Sequence, residues 1–425
     1  METRSVSLGE AVRFWLKLGF ISFGGPTGQI AIMHQELVER RRWISEGRFL
    51  HALNYCMVLP GPEAQQLATY IGWLMHRTWG GIVAGGLFVL PSVFILIALS
   101  WIYVSYGNVP LVAGIFYGIK PAVVAIVLAA AWRISQRALK HPALWGVAAA
   151  AFVAIFAFDV PFPAIVLAAG IIGYAGGRLY PGIFSSGGGH KSEGSYGPAL
   201  IDDDTPTPAH ALFSWAKLAA YVGVGLALWL LVIGSLAATS GRDGTLAQMG
   251  LFFSQAALLT FGGAYAVLPY VYQGAVEHYG WLTGPQMIDG LALGETTPGP
   301  LIMVVAFVGY LGAGTAGALV ATFFTFLPSF VFIFAGAPFV ETTHGNLKFS
   351  APLTGITAAV VGVILNLAVF FGWHVLWPAG AGAAFEWISA LIGVAAFVAL
   401  FRFKAGVMPV IGACALVGLA VTLLR

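Results

Sequence analysis

Two strings combine residue types that could hold a multiply charged anion: Leu59-Pro60-Gly61-Pro62-Glu63-Ala64-Gln65-Gln66 and Glu295-Thr296-Thr297-Pro298-Gly299-Pro300. Each lies inside an apolar stretch. A proline there removes an amide donor and clashes with the preceding turn, so two prolines around a glycine break any helix running through them. Backbone groups freed at membrane depth are tolerated only where protein buries them or a wet cavity meets them, and transporters place such breaks at substrate sites. A plain structural kink is the competing reading, weaker for a matched pair than for a single break. Pro62 or Pro300 in the first turn of the next half-helix would leave the following N–H groups unpaired. With the helix dipole, those groups make a seat for a tetrahedral oxyanion such as phosphate or sulfate.

A second matched break is Phe23-Gly24-Gly25-Pro26 against Phe261-Gly262-Gly263, where glycine lets backbone approach a ligand or a neighbouring helix closely. Ionisable groups inside spans are costly and point to function; Glu63, Lys120, Asp289 and Glu295 qualify. Lys120 lies too deep in its span to reach an interface, so it could lend positive charge to an anion path, although its repeat counterpart is Thr357. Bare carboxylates repel an anion, so Glu63 and Glu295 suit proton coupling or pairing with Lys120 or an arginine. Asn54, Gln65, Gln66, Thr296 and Thr297 offer neutral hydrogen-bonding groups beside the breaks, for an oxyanion or for joining helices.

The elements that must position these groups are spans. Hydrophobic residues make up 59% of the 425 positions and charged residues 9%, which requires lipid as the main solvent. Thirteen apolar stretches approach the roughly 20 residues that a spanning helix needs: 11–33, 50–76, 80–105, 111–132, 143–158, 161–179, 211–236, 246–268, 286–311, 315–338, 352–376, 384–400 and 406–424. The alternating ten-residue segments of an outer-membrane barrel are missing, so the expected fold is an all-α polytopic bundle. Residues 47–78 read either as one broken span or as a re-entrant hairpin. Cys56 and Cys414 both sit in apolar stretches, which leaves no disulfide framework or thiolate metal site. The nine histidines fall at no metal-ligand spacing, and neither a nucleotide nor a flavin fingerprint is present, so no metal or other cofactor is expected. The net charge of +3 lacks the aromatic-interleaved basic stripe of a nucleic-acid binder, and no carboxylate cluster or nucleophile with a base suggests an intramembrane enzyme.

Laid on itself at an offset of about 238 residues, the chain repeats. Phe23-Gly24-Gly25 falls on Phe261-Gly262-Gly263, Trp43 on Trp281 and Pro60-Gly61-Pro62 on Pro298-Gly299-Pro300. After a one-residue slip, Leu90-Pro91-Ser92 falls on Leu327-Pro328-Ser329. This divides the chain into a first repeat, 1–180, a polar, flexible linker, 181–210, and a second repeat, 211–425. Seven spans precede the second copy, and an odd number inverts it. With the N-terminus inside, Arg133, Arg137, Lys140, Arg178, Lys191, Arg402 and Lys404 collect in cytoplasmic loops, whereas Arg40, Arg41, Arg42 and Arg48 would fall outside.

The combination of Phe23-Gly24-Gly25-Pro26, Arg42-Trp43-Ile44, Pro60-Gly61-Pro62-Glu63-Ala64-Gln65-Gln66, Phe261-Gly262-Gly263 and Thr297-Pro298-Gly299-Pro300 resembles the chromate ion transporter family over nearly the whole chain, in its long, two-domain branch. The resemblance implies two fused, antiparallel domains in a bacterial inner membrane that export chromate and confer chromate resistance, with sulfate as competitor or as an alternative substrate for uptake or exchange. The residues carried over are the Gly-Gly and Pro-Gly-Pro breaks with Glu63, Gln65 and Gln66, while Leu301 opposite Glu63 departs from a symmetric acidic role. The expected partners are chromate and the lipid bilayer, and the sequence leaves a homodimer open.

Overall fold

A chain this apolar satisfies its backbone inside helices, and the computed structural model, which describes residues 6–23, 25–184, 196–343, 350–380, 382 and 384–424, is helical throughout apart from a lone bridge between Ile44 and Ile201. Gly24 and residues 185–195 of the linker lie outside the described residues. Seven of the helices are long and apolar enough to cross a bilayer.

Helix α1 (Leu8–Ile21) starts behind the Ser7 hydroxyl, which accepts the Glu10 N–H, and ends at Ser22 before the Gly-Gly break. Helix α2 (Gly25–His34) continues through a wide π turn, Gln35–Arg40. It returns toward the start of α1: Trp43 packs on Phe14 with ring centroids 4.9 Å apart, and Arg41 reaches Glu10 at 3.9 Å. The stretch read from sequence as a span over 11–33 therefore enters halfway and turns back.

Helices α3 (Glu46–Cys56) and α4 (Glu63–Tyr106) repeat the manoeuvre. Arg48 at the start of α3 and Tyr70 midway along the first arm of α4 both bind Glu341, whereas Gln66 beside the Pro-Gly-Pro break reaches Ser329. Ser329 and Glu341 lie roughly 18 Å apart on the long helix Val304–Thr343, at about 1.5 Å per residue. The two segments must run antiparallel with Pro60-Gly61-Pro62 at the tip, so residues 47–78 are re-entrant. At His76 and Arg77 the chain turns sharply and the long arm, 78–106, crosses. Glycine is required where the arms touch: a Cβ on Gly80 would lie 2.2 Å from the Gly72 oxygen.

Helices α5 (Pro110–Ala138), α6 (Pro142–Phe158) and α7 (Phe162–Leu179) cross in turn, and a short turn, α8 (Pro181–Phe184), leads into the linker. Four crossings bring the chain back to its starting face, and α9 (Trp215–Ser240) makes a fifth. The second copy starts on the opposite face and runs upside down. Its α10 (Thr245–Leu259), α11 (Ala264–Tyr272) with the π turn Gln273–His278, α12 (Gly284–Thr296), α13 (Val304–Thr343), α14 (Ser350–Leu376), α15 (Trp387–Phe401) and α16 (Val407–Leu424) retrace the first. Details repeat as well. Phe252 packs on Trp281 at 5.5 Å, as Phe14 does on Trp43, and a Cβ on Gly317 would lie 2.0 Å from the Gly309 oxygen. Gly314 takes φ +61 where Arg77 takes φ +56.

The copies interleave. The long arms of α4 and α13 pack where a Cβ on Gly81 or Gly85 would lie 2.5 or 2.7 Å from the rings of Phe334 and Phe330. Helix α16 lies on α5, a Cβ on Gly118 falling 1.9 Å from the Cys414 oxygen, and α7 lies on α14 through Gly355. Small residues at these contacts allow the close approach that drives helix association in lipid.

The hairpins also correct the expected charge distribution. Arg40, Arg41, Arg42 and Arg48 are returned to the face that carries Arg133, Arg137, Lys140 and Arg178, instead of the opposite one. Burial works against the charge of Glu36, but Arg40 at 2.7 Å, with Lys17 and Arg41, holds its carboxyl below the usual range. Linker residues dock on the same face: Ser45 donates to Asp203 at 2.7 Å, Arg48 to the Thr205 oxygen at 2.6 Å, and Ile201 exchanges backbone bonds with Trp43 and Ser45. In the loops of the opposite face, among the described residues, Arg242 stands as the basic residue.

Single cysteines placed at Arg41 and Arg137 are expected to react with an impermeant maleimide from one side of the membrane, and one at His278 from the other. Labelling of the Arg41 and His278 positions from the same side would contradict the inverted hairpins.

Candidate functional site

The four breaks meet in the interior in two reciprocal pairs. The N–H of Gly61, at the first Pro-Gly-Pro tip, donates to the Thr260 oxygen at 2.7 Å, just before Phe261-Gly262-Gly263. The N–H of Gly299, at the second tip, donates to the Ser22 oxygen at 2.7 Å, just before the first Gly-Gly break. Each tip also meets the Leu-Pro-Ser string of the other copy. Ser92 donates to the Pro298 oxygen and Gln66 to Ser329 at 3.4 Å. The fit leaves no room for a side chain: a Cβ on Gly61 would lie 2.4 Å from Ser329 Oγ and one on Gly299 1.9 Å from Ser92 Oγ, and both glycines hold positive φ, +127 and +104.

Four half-helices end at these breaks and four begin. The carbonyl ends at Ser22 and Thr260 are met by the reciprocal N–H groups, and Gln29 Nε2 bridges the Ser22 and Gly299 oxygens. The amide ends beginning at Glu63, Ala264 and Leu301 follow Pro62, Gly263 and Pro300, none of which supplies a side-chain cap. The amide ends at Ala264 and Leu301 present positive dipole to this region, while the Glu63 carboxyl stands in the first turn of the third. Ser22 Oγ and one carboxamide end each of Gln29, Gln65 and Gln66 are buried without a partner, four of the seven such atoms among the described residues. Buried groups left unpaired are rare, and a cluster of them marks where a polar ligand or water would be received.

The remaining residues singled out from sequence divide between this region and its flanks. Pro60, Gly61, Pro62, Thr297, Pro298, Gly299 and Pro300 form the tips, the second tip fully buried. Gly25, Pro26, Gly262 and Gly263 flank the outer breaks, with Gly25, Gly262 and Gly263 at positive φ. Asn54 is half-buried on α3. Thr296 and Thr297 spend their hydroxyl protons on the Leu293 and Gly294 oxygens of their own helix, at 3.0 and 3.1 Å, so they face the site as acceptors. Glu295 accepts from the Tyr265 hydroxyl. Lys120 pairs with Asp289 at 3.3 Å, away from both glutamates, and Tyr103 donates to the same Asp289 oxygen at 2.8 Å. Glu63 is half-buried in the first turn of its arm, where the dipole favours a negative charge.

Sequence reasoning passed over Ser22, Gln29, Tyr265 and Thr260. Ser22 and Thr260 carried a signal, as matched hydroxyl residues directly before the two Phe-Gly-Gly strings. Gln29 carried none, because Val267 stands at its repeat position. A cavity of about 280 Å³ between α5, α14 and α15 is lined by Pro121, Val124, Leu128, Val375 and Phe397 among others, and its apolar wall offers little to a dianion.

Comparison with known proteins finds the same twofold division of the chain. A family described as "Chromate transporter" matches residues 9–174 and again 247–419. A probable chromate transport protein of Synechococcus elongatus is 32% identical over 370 residues, 86% of this chain and 85% of its own length. Chromate transport proteins of Cupriavidus metallidurans (31%, covering 85% of this chain and 82% of its own) and Pseudomonas aeruginosa (35%, covering 82% and 77%) are similar over nearly the same extent. No solved structure matches.

Gly61→Ala and Gly299→Ala should each impose roughly 1–3 kcal/mol of local strain and lower the unfolding temperature of the detergent-purified protein. Gly86→Ala, with nothing within 4 Å of its added Cβ, should not. Equal stability of all three would refute the tight reciprocal fit.

Proposed function

The chain belongs to the chromate transporter family, and on that premise we propose that it exports chromate from the cytoplasm across a bacterial inner membrane, conferring resistance by alternating access around the paired breaks. The observation carrying this reading is the set of uncapped amide ends at Glu63, Ala264 and Leu301, gathered with the unpaired polar groups of Ser22, Gln29, Gln65 and Gln66. Such a site offers a tetrahedral dianion backbone N–H groups and the Ser22 hydroxyl without a full opposing charge, while the unpaired ends of Gln29, Gln65 and Gln66 are oxygens that would present their amide donors to an anion only by flipping. Binding through partial charges lets the ion leave as well as enter.

Placing the basic face in the cytoplasm follows the positive-inside rule, and Arg133 and Arg137 of α5 then stand at the cytoplasmic approach. There they attract chromate by long-range field while remaining exposed. Moving one charge through 100 mV is worth about 2.3 kcal/mol, so an inside-negative membrane drives a dianion outward by roughly twice that, and export needs no ATP. In this reading, residues 1–180 and 211–425 are the two moving repeats and 181–210 ties them at the cytoplasmic face. Lys120 acts through its ion pair with Asp289, and Glu63, too close to the uncapped amides to be a ligand for an anion, tunes the site by its charge.

Everted vesicles, with the cytoplasmic face outward and an inside-positive potential, should accumulate chromate. Pro60→Ala and Pro298→Ala should abolish accumulation, and Gln29→Leu or Gln66→Leu should raise the half-saturating chromate concentration about tenfold, roughly 1.4 kcal/mol. Undiminished transport by both proline variants would remove the breaks from the mechanism. Accumulation of labelled sulfate in preference to chromate would reassign the substrate.

A further inference from the structure

Reaching the buried tips from either side requires a hairpin to part from the crossing arm of the other copy, so the contacts at the hairpin bases decide which side opens. Seven contacts between acidic and basic side chains are present among the described residues, two of them made by His34 and ionic only when its ring is protonated. Five of them lie within the first 46 residues, and two join the copies: Arg48–Glu341 and Lys120–Asp289 at 3.3 Å.

These two occupy opposite ends of the bundle and share one chemical composition. At the basic face, Glu341 on the long arm of α13 receives Arg48 from α3 and the Tyr70 hydroxyl from the first arm of α4. Its side chain is 2% exposed and that of Arg48 11% exposed, and Arg48 is steadied by the Thr205 oxygen of the linker. Toward the opposite face, Asp289 on α12 receives Lys120 from α5 and, at 2.8 Å, the Tyr103 hydroxyl from the long arm of α4. Each cluster is one carboxylate, one phenol and one cation, and each fastens a re-entrant hairpin to the crossing arm of the other repeat. Repeat symmetry does not generate the pair, since the carboxylate comes from the crossing arm in one cluster and from the hairpin in the other. Neither cluster touches a Pro-Gly-Pro tip, so neither is needed to line the binding region.

We propose that Arg48–Glu341–Tyr70 and Lys120–Asp289–Tyr103 are two gates, one at the cytoplasmic side and one at the outer side, which open in alternation and are both closed in this structure. This rests on the reading of the breaks as an anion path served by alternating access. Each pair has a buried carboxylate, Asp289 at 4% and Glu341 at 2% exposed, with Lys120 30% exposed, and parting the charges before water enters leaves that carboxylate uncompensated, which gives the closed state a defined geometry. Opening one side wets that pair and exposes the tip. The linker, holding Arg48 through Thr205, belongs to the cytoplasmic gate.

The test uses full-length protein lacking Cys56 and Cys414, with Gln66→Cys as reporter at the first tip, in right-side-out and everted vesicles treated with a membrane-impermeant maleimide. Glu341→Gln or Tyr70→Phe should raise reporter labelling several-fold from the cytoplasmic side alone. Asp289→Asn or Tyr103→Phe should raise it from the outer side alone. The phenol variants remove a single oxygen and guard against failure to fold, and the exchanged pair Arg48→Glu with Glu341→Arg should bring labelling back down. Labelling that is unchanged from both sides, or raised equally from both, would overturn the gates. Because the readout needs no chromate, failure of the gates is distinguishable from failure of the transport reading, which is judged by vesicle accumulation.

Discussion

Backbone polarity without water is the constraint on which the rest of the structure depends. A helix broken inside a bundle of apolar helices exposes N–H and C=O groups that cannot turn to solvent, and each one left unmet costs several kcal/mol. Here the breaks answer one another: Gly61 N–H meets the Thr260 oxygen and Gly299 N–H meets the Ser22 oxygen, both at 2.7 Å. A hydrogen bond between transmembrane helices adds only about 0.6 kcal/mol on average, so the pair matters chiefly because the alternative is so costly. Each tip glycine N–H is met by a carbonyl of the other copy. That is a physical reason for the two repeats to interleave, with α16 on α5 and α7 on α14.

The same constraint explains the glycines and the asymmetry around them. Two tips inserted against Ser92 and Ser329 leave no room for a Cβ, and only glycine holds φ near +100° cheaply. Structural demands are thus met twice, once in each copy. Polar demands are not. Gln29, Gln65 and Gln66 of the first copy face Val267, Met303 and Val304 at the matching positions of the second. Duplication supplied a symmetric scaffold, and the buried side-chain polar atoms without a partner at Ser22, Gln29, Gln65 and Gln66 belong to the first half.

The breaks were legible in the sequence because proline and glycine act locally: Pro60-Gly61-Pro62 and Pro298-Gly299-Pro300 end helices wherever they stand. The repeat was legible because the same strings recur at one offset, and its inversion was expected from seven spans before the second copy, where the structure has five crossings, likewise an odd number. The direction of the chain after each break was not legible. A half-helix of 11 residues, such as Glu46–Cys56, followed by another apolar segment has the same composition whether it continues or turns back. That single ambiguity displaced Arg40, Arg41, Arg42 and Arg48 to the wrong face. Long-range pairs were equally hidden, since nothing near Lys120 in sequence announces Asp289, and the partner of Arg48 lies 293 positions away.

Magnitudes limit how such a bundle can move. Expelling one dianion across 100 mV releases about 4.6 kcal/mol, twice the value for a single charge. Leaving a buried charge without its partner costs roughly 3–5 kcal/mol, a figure of the same order, and water entering on opening lowers it for Arg48–Glu341 and more so for Lys120–Asp289, where Lys120 is already 30% exposed. If the two contacts act as gates, the state with Arg48–Glu341 and Lys120–Asp289 both parted loses both contacts at once and is also the state that would leak ions. The interlocked tips add their own unsatisfied amides to that state if both hairpins withdraw together. Under that reading electrostatics and backbone satisfaction penalise the same conformation, which is the condition that opening one side at a time requires.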